Sequence, residues 1–277
     1  DIPSFFATKF MPFNKPNELA TLKKICESYS DYEIAFAVQF VLEYIISNLI
    51  IYYIPKKTPL VLSGGIFGNV KLNQKIRELN HTKKIFIFPE MGDGGLSYGA
   101  VCLAQVDNGF IPKKLSNVYL GPSYSEYKSF NISTGINVNK YKTIDLLTNE
   151  VAKRIYDGQI IGLLEGKIEF GPRSLGGRSL LFKADNKNIN EIVNKRLNRT
   201  EFMPFAPVCL LEDAPYLFHN FDINDKNVEY MTTCYMCTDI MIKKYPAVVH
   251  IDNTARPQVI DENHPKKIYY NIIKKCK

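Results

Sequence analysis

Short apolar runs followed by glycines recur along the first part of the chain. The runs at 59–63 and 84–88 each lead through a glycine-rich turn into a helical pattern, at 69–79 and 95–106. Strand, glycine turn and helix in succession, twice over, are typical of an α/β fold with a largely buried parallel sheet. We therefore predict that the first part of the chain is built around such a sheet.

An apolar stretch at 34–54 precedes these runs and is long enough to raise the question of a membrane-spanning helix. Gln39, Glu43 and Ser47 recur at every fourth residue, so they line one face of a helix. This pattern predicts a core helix that is buried on its other sides, and no membrane segment.

The second part of the chain begins near residue 142. Helical patterns at 144–157 and 188–197 flank an apolar run at 159–164 that is typical of a buried strand. Before it lies a stretch rich in proline, serine, asparagine and glycine, which predicts an irregular connector. The fold class predicted is α/β and α+β, with domains at 1–109 and 142–277 joined by a connector at 110–141.

A glycine-rich loop at 165–179 follows the third apolar run and carries Lys167, Arg173 and Arg178. Glycines let a backbone approach a ligand closely, and the three cations place donors around the bend. Such a loop suits a compact, multiply charged anion such as a phosphate ester. A surface turn with solvated arginines is the alternative for a loop of this composition.

Positive charge is concentrated around this loop. The chain has a net charge of +7, and the window 167–199 carries eight basic against three acidic residues, a net +5. Such a field favours small anions such as nucleotides and acyl phosphates. A nucleic-acid partner is not favoured, because no basic-aromatic stripe accompanies the charge. Six irregularly spaced cysteines and a hydrophobic content of 45% predict a globular cytoplasmic protein with reduced thiols.

Two turns in the first part of the chain carry candidate ligands. Gly64 and Gly65 precede a helix whose N-terminal N–H groups can bind a phosphate, and Asn69 and Asn73 share a face of that helix, where they can hold a base or a ribose. An ordinary strand-to-helix turn is the alternative. Asp93 lies among glycines after the second strand, where it can coordinate a metal or cap the following helix.

Two other polar residues have open roles. Glu169 can orient an arginine, bind the magnesium ion carried by ATP, or act as a solvated partner for Arg173 or Arg178. His250, two residues before Asp252, can serve in acid–base chemistry or simply occupy a strand.

Five segments, taken together and in this order, resemble the signature segments of the O-carbamoyltransferases. They are SGGIFGNVKLN, FPEMGDGGLSYGA, GKIEFGPRSLGGRSLL, LNRTEFMPFAP and AVVHIDNTARPQ. The likeness runs from about residue 34 to residue 258. The family includes nodulation-factor, aminoglycoside and cephamycin carbamoyltransferases.

The resemblance implies a two-domain enzyme. The first domain would be of the actin/Hsp70-like class, and this chain would hold its later part. The second would be similar to the threonylcarbamoyl-adenylate synthases and would join carbamoyl phosphate and ATP, with Mg²⁺, into carbamoyl adenylate. The first would bind iron or another divalent metal and pass the carbamoyl group to a hydroxyl of a small-molecule acceptor.

The resemblance also implies roles for individual residues. Lys167, Arg173 and Arg178 would be catalytic. Asp93 would ligate the metal together with two histidines expected outside this chain. The residues expected to contact the nucleotide and the carbamoyl donor are Gly64, Gly65, Asn69, Asn73, Lys195, Arg196, Arg199 and Arg256.

The likeness is incomplete. The family's HxxxH pair is absent from the chain, as is the first half of the ATPase-like domain, and the strand and helices expected after Arg256 are missing too. We therefore expect a fragment without full transfer activity of its own, with a homodimer as one option. Two alternatives stay open: a tRNA threonylcarbamoyladenosine-type enzyme, and a non-catalytic nucleotide-binding module.

Overall fold

The computed structural model describes residues 23–24, 26–124, 137–199 and 204–277. The chain is mixed α/β and separates into two compact units, Asp1–Lys56 and Lys57–Lys277. The predicted domain boundaries at 109 and 142 both fall inside the second unit and stay a prediction.

The first unit contains a long helix, α1 (Asp31–Tyr53). A capping box starts it, since Ser30 N–H donates to the Glu33 carboxylate at 2.9 Å and Glu33 N–H donates to Ser30 Oγ at 3.4 Å. The predicted helix is confirmed, but its predicted burial is wrong, because only Ser47 and Ile50 are buried. Among the described residues of this unit no second layer covers the apolar side chains.

By length and by its mean hydropathy of 2.0, α1 could cross a membrane. Core helices of soluble proteins and signal sequences meet the same criterion, so this helix does not decide localisation. Cytoplasmic placement stays a prediction.

The second unit opens with the predicted strand–turn–helix pairs. Strands β1 (Leu60–Leu62) and β2 (Ile85–Ile87) are parallel and are followed by α2 (Val70–Glu78) and α3 (Gly95–Asp107). The predicted parallel pairing is confirmed. The sheet is less buried than predicted: Val61 is 71% exposed and α3 buries none of its residues. Within the described chain this sheet has two strands, and α2 is the helix of the two that buries residues, Leu72 and Ile76 among them.

The rest of the second unit mixes short strands and helices. Its elements are α4 (Ile144–Tyr156), β3 (Ile161–Leu164), β4 (Arg178–Leu181), α5 (Asn188–Arg196), β5 (Val208–Leu210), α6 (Ala214–Leu217), β6 (Tyr235–Met236), α7 (Asp239–Lys244), β7 (Thr254–Ala255), β8 (Gln258–Ile260) and α8 (Lys267–Lys275). Pairs β3–β4 and β6–β7 are antiparallel, whereas β5–β8 is parallel.

Two expectations about this region are corrected. The run at 159–164 forms β3, but alternate residues face solvent and Leu164 is 58% exposed, because an antiparallel pair needs cover on one face only. A strand and a helix do follow Arg256: β8 pairs with β5, and α8 packs against α4. Together these elements bury one apolar cluster that includes Ile155, Leu210 and Ile272.

Candidate functional site

The glycine-rich loop folds around the carboxylate of Glu169, whose side chain is fully buried. Glu169 Oε1 accepts hydrogen bonds from the backbone N–H groups of Leu175 at 2.7 Å and Gly177 at 2.6 Å. Its Oε2 lies 3.2 Å from Arg178 Nε. Glu169 is therefore the partner of Arg178, as one alternative predicted, but a buried partner and not a solvated one. Its roles in orienting an arginine for a ligand and in binding magnesium stay predictions.

Two glycines let this loop lie directly against other segments. Gly176 has a φ of +98°, and a Cβ there would come within 2.2 Å of the Tyr269 ring in α8. Gly171 has a φ of +130°, and a Cβ there would lie 3.3 Å from the carbonyl oxygen of Pro89, just after β2. Both positions require glycine, because the backbone lies close to protein in a conformation that other residues rarely adopt.

Arg173 joins the loop to the first glycine turn, a contact that the sequence did not predict. Its Nη2 donates to the carbonyl oxygen of Gly68 at 3.2 Å, and its Nη1 lies 3.5 Å from the sulfur of Met91. Its Nε is buried and has no hydrogen-bond partner. The side chain thus bridges the turns that follow β1 and β2 and leaves its buried Nε–H without a partner.

The electrostatic surroundings of Arg173 are positive. Burial and, to a smaller extent, the nearby charge of Arg256 together lower the pKa of its guanidinium to about 10, against smaller opposite effects of Cys234 and Glu90. Within the described chain no carboxylate lies within ion-pair distance of Arg173. Arg173 stays protonated near neutral pH, so two guanidinium groups lie close together here.

The turn before α2 is open where the prediction places a phosphate. Gly64 has a φ of +120°, and no atom lies within 4 Å of a Cβ built at Gly64 or Gly65. The amides of the helix are used differently from the prediction: Asn69 Oδ1 accepts from the Leu72 N–H at 3.0 Å, as a helix cap. Asn73 is buried, and its Nδ2 donates to the carbonyl oxygens of Phe67 and Thr232. A nucleotide contact of either amide stays a prediction.

Asp93 is exposed at the turn after β2. The N-cap of α3 is Gly94 and no side chain caps this helix, so the capping alternative is not seen. Across the described ranges no three His, Cys, Asp or Glu side chains come close enough to hold a metal ion. The residues described here therefore do not form a metal site by themselves, and the role of Asp93 as a ligand stays a prediction.

The remaining predicted cations lie elsewhere on the surface. Lys195 and Arg196 are exposed at the end of α5, and Arg199 is exposed with its guanidinium 5.2 Å from the centroid of the Phe205 ring. None of them is among the groups that act on the Arg173 charge. Lys167 is exposed on the glycine-rich loop itself. The structure thus unites Arg173 with Arg256 and the first turn, and leaves the α5 cations as predictions.

An ion pair anchors the segment that carries Arg256. Lys71 Nζ lies 2.8 Å from Asp252 Oδ2, while Asp252 Oδ1 accepts from Thr254 and lies 3.0 Å from His250 Nδ1. Burial would raise the pKa of the Asp252 carboxyl, but these hydrogen bonds outweigh it and hold the pKa well below its usual range. Asp252 therefore ties α2 to the Arg256 segment, and its neighbour His250 is hydrogen-bonded to it.

One buried cation escaped the sequence-based prediction. Lys266 is 5% exposed, and its Nζ donates to the carbonyl oxygens of Glu165 and Lys167 in the glycine-rich loop. A single lysine beside Lys267 in a polar stretch carries no pattern that distinguishes it from a surface residue. Only the folded chain shows that it reaches the loop.

Comparisons with known proteins give the following matches. Residues 9–102 match the family described as carbamoyltransferase N-terminus, and residues 152–277 match carbamoyltransferase C-terminus. An uncharacterized protein of Methanocaldococcus jannaschii is 32% identical over 271 residues, which cover 92% of this chain and 43% of that protein. Nodulation protein U of Sinorhizobium fredii is 32% identical over 221 residues, which cover 78% of this chain and 36% of that protein. The chain thus spans less than half the length of these relatives.

Proposed function

Because this chain belongs to the carbamoyltransferase family, we propose that it takes part in moving a carbamoyl group from carbamoyl phosphate to a hydroxyl of a small-molecule acceptor. Both halves of the chain match this family. That match favours a carbamoyltransferase over the tRNA-modifying enzyme and the non-catalytic nucleotide-binding module.

The observation that carries the proposal is the environment of Arg173. A cation removed from water is costly unless an opposite charge or good hydrogen bonds compensate it. Arg173 has a buried Nε without a partner and a second guanidinium, Arg256, close by. A small dianion would supply the missing negative charge, and guanidinium groups match phosphate oxygens in geometry. Carbamoyl phosphate is such an anion.

The proposed chemistry uses orientation and charge rather than a covalent bond between the enzyme and the carbamoyl group. Water cleaves carbamoyl phosphate to carbamate and phosphate. A carbamate oxygen then bonds to the α-phosphorus of ATP, pyrophosphate leaves, and the product is carbamoyl adenylate. The acceptor hydroxyl takes the carbamoyl group, loses its proton and releases AMP. Arg173 and Arg256 hold the phosphate of the donor, and Lys167 lies on the same loop.

Arg178 has a different part in this proposal. Its Nη2 donates to the carbonyl oxygen of Gly171 at 2.8 Å and its Nε faces Glu169, so two of its three nitrogens already serve the loop. We propose that Arg178 mainly stabilises the conformation of the loop and that contact with the ligand is its secondary role. No step is assigned to a metal, because the described residues do not form a site for one.

The first test measures binding of carbamoyl phosphate by isothermal titration calorimetry. Replacing Arg173→Gln should weaken binding at least tenfold, which corresponds to about 1.4 kcal/mol, because one of the two neighbouring guanidinium groups is lost. Arg154→Gln is the matched control, since Arg154 lies on α4 and pairs with Glu150. Equal affinities of the Arg173→Gln and wild-type proteins, or no binding by the wild type, would contradict the proposal.

A further inference from the structure

The structure shows a buried lysine directly beneath the proposed anion-binding loop. Lys266 Nζ donates to two carbonyl oxygens, those of Glu165 and Lys167, which flank Gly166. The same ammonium lies 4.4 Å from the centroid of the Tyr119 ring, and a Cβ at Gly166 would be 3.5 Å from it. Resting on the proposed function, we infer that Lys266 is a positioning residue that holds the loop in its anion-binding geometry.

The contact between loop and helix runs in both directions. Lys266 donates to the loop, while the Glu165 carboxylate accepts from the N–H groups of Ile268 at 3.2 Å and Tyr269 at 3.0 Å, in the first turn of α8. An acidic group at a helix N-terminus satisfies N–H groups that have no partner within the helix. Two segments about 100 residues apart are therefore fixed to each other by hydrogen bonds from both sides.

A second segment holds the opposite side of the same backbone. Lys167 forms an antiparallel bridge with Ser123, the N–H of Ile168 donates to Pro122, and the N–H of Gly121 donates to Ile168. The backbone at Lys167 thus lies between this segment and Lys266, while its side chain is exposed. The Lys167 side chain is therefore exposed to solvent on a backbone that hydrogen bonds hold in place.

The chemistry of this position calls for a cation with several donors. Two partly buried carbonyl oxygens need partners, and leaving them without any is costly. An ammonium supplies three donors and adds a positive charge below a loop that already carries Lys167, Arg173 and Arg178. A neutral apolar residue of the same length would fill the space, but it would supply neither the donors nor the charge.

The test compares two adjacent lysines that receive the same change. Lys266→Met keeps the length and removes the ammonium; Lys267→Met is the matched control, because Lys267 is exposed and donates to the carbonyl oxygen of Glu262. Carbamoyl phosphate is titrated below the unfolding temperature of each protein. Lys266→Met should raise Kd at least tenfold, Lys267→Met should change it less than twofold, and Lys266→Arg should restore most of the affinity.

Packing and positioning predict opposite results. If Lys266 only filled space, methionine would be tolerated and the larger arginine would not, and either result would overturn the inference. If Lys266→Met does not fold, Lys266→Gln is measured instead, since its amide can still donate to one carbonyl. Wild-type affinity in that variant would likewise overturn the inference.

Hydrogen exchange of the loop amides separates this inference from the proposed function. Exchange at residues 166–178 should be faster in Lys266→Met than in Lys267→Met, with or without a ligand. If the wild type binds no carbamoyl phosphate, the proposed function fails, and loop exchange alone decides the inference. Unchanged exchange in Lys266→Met would refute it.

Discussion

Glu169 shows how one side chain can organise a loop. It has no exposed side-chain surface, and one of its oxygens accepts from the backbone of Leu175, Gly177 and Arg178. A buried carboxylate is stable only when hydrogen bonds and an opposite charge compensate it. Here the loop N–H groups and Arg178 provide both. The loop conformation that carries these cations therefore depends on Glu169, although Glu169 need not contact the proposed anion.

Replacing Glu169→Gln tests this role. The amide presents an NH₂ group beside loop N–H groups and removes the charge that faces Arg178, so the free energy of unfolding should fall by about 2–3 kcal/mol. Urea denaturation monitored by circular dichroism measures it. As a control, Glu150→Gln breaks a partly exposed ion pair with Arg154 and should cost less than about 0.5 kcal/mol. A loss of the same small size for Glu169→Gln would exclude the role.

The glycine-rich loop packs directly against α8. Tyr269 is buried, its hydroxyl donates to Gln258 Oε1 at 2.8 Å, and its ring lies where a side chain on Gly176 would be. The loop can turn above the ring only because residue 176 has no Cβ and adopts a positive φ. Glycine at this position is therefore a requirement of packing as well as of backbone conformation.

Two glycine-to-alanine changes separate these effects. Gly158→Ala meets no atom within 4 Å and has a φ of +82°, so it should cost only the backbone strain, about 1 kcal/mol. Gly176→Ala adds a clash with Tyr269 and should cost about 2–4 kcal/mol in total. Thermal and urea unfolding of both variants measure the difference. Equal losses would show that the ring moves aside freely.

At the scale of the whole second unit, a polar network connects segments that are far apart in sequence. The Tyr119 hydroxyl donates to the carbonyl oxygen of Leu175 at 2.7 Å, and Gln258 Nε2 donates to the same oxygen at 3.2 Å. His264 Nε2 lies 3.0 Å from the Tyr119 hydroxyl, and the N–H of Lys266 donates to His264 Nδ1. This pattern suits a neutral imidazole that donates from Nε2. The connector, the loop and the residues before α8 meet in this network.

The network makes stability depend on pH below neutrality. Burial lowers the pKa of His264 below its usual value and outweighs the hydrogen bond with the Lys266 backbone and the charges of Asp261 and Glu229, which raise it. The charge of Lys266 lowers this pKa slightly more. A lowered pKa means that the stabilising contribution is complete above the unfolded value near 6.5 and is lost as the pH falls through the folded value. The urea concentration at the unfolding midpoint should therefore decrease as the pH is lowered from 7.5 to 5. This decrease should be smaller in His264→Gln than in the wild type. His219→Gln, at an exposed site, should keep the wild-type dependence; an identical slope in His264→Gln would contradict the assignment.

Local patterns were enough to predict the elements from α1 to α5 except β4. Helices α2, α3, α4 and α5 and strands β1 to β3 lie within a few residues of their predicted positions. Periodicity and glycine turns act over short distances along the chain, so a sequence window contains the information. The same holds for Arg173, because its position in a glycine-rich loop is enough to make it a candidate site residue.

Burial and long-range partners could not be predicted in this way. Helix α1 has the composition of a core helix but is exposed. Asn73 could bind a ligand by its chemistry, but its amide donates to the carbonyl oxygen of Thr232, far along the chain. Lys266 reaches the loop across about 100 residues. These outcomes depend on which segments become neighbours after folding, and the free energy of a buried charge or amide is set by those neighbours rather than by adjacent residues.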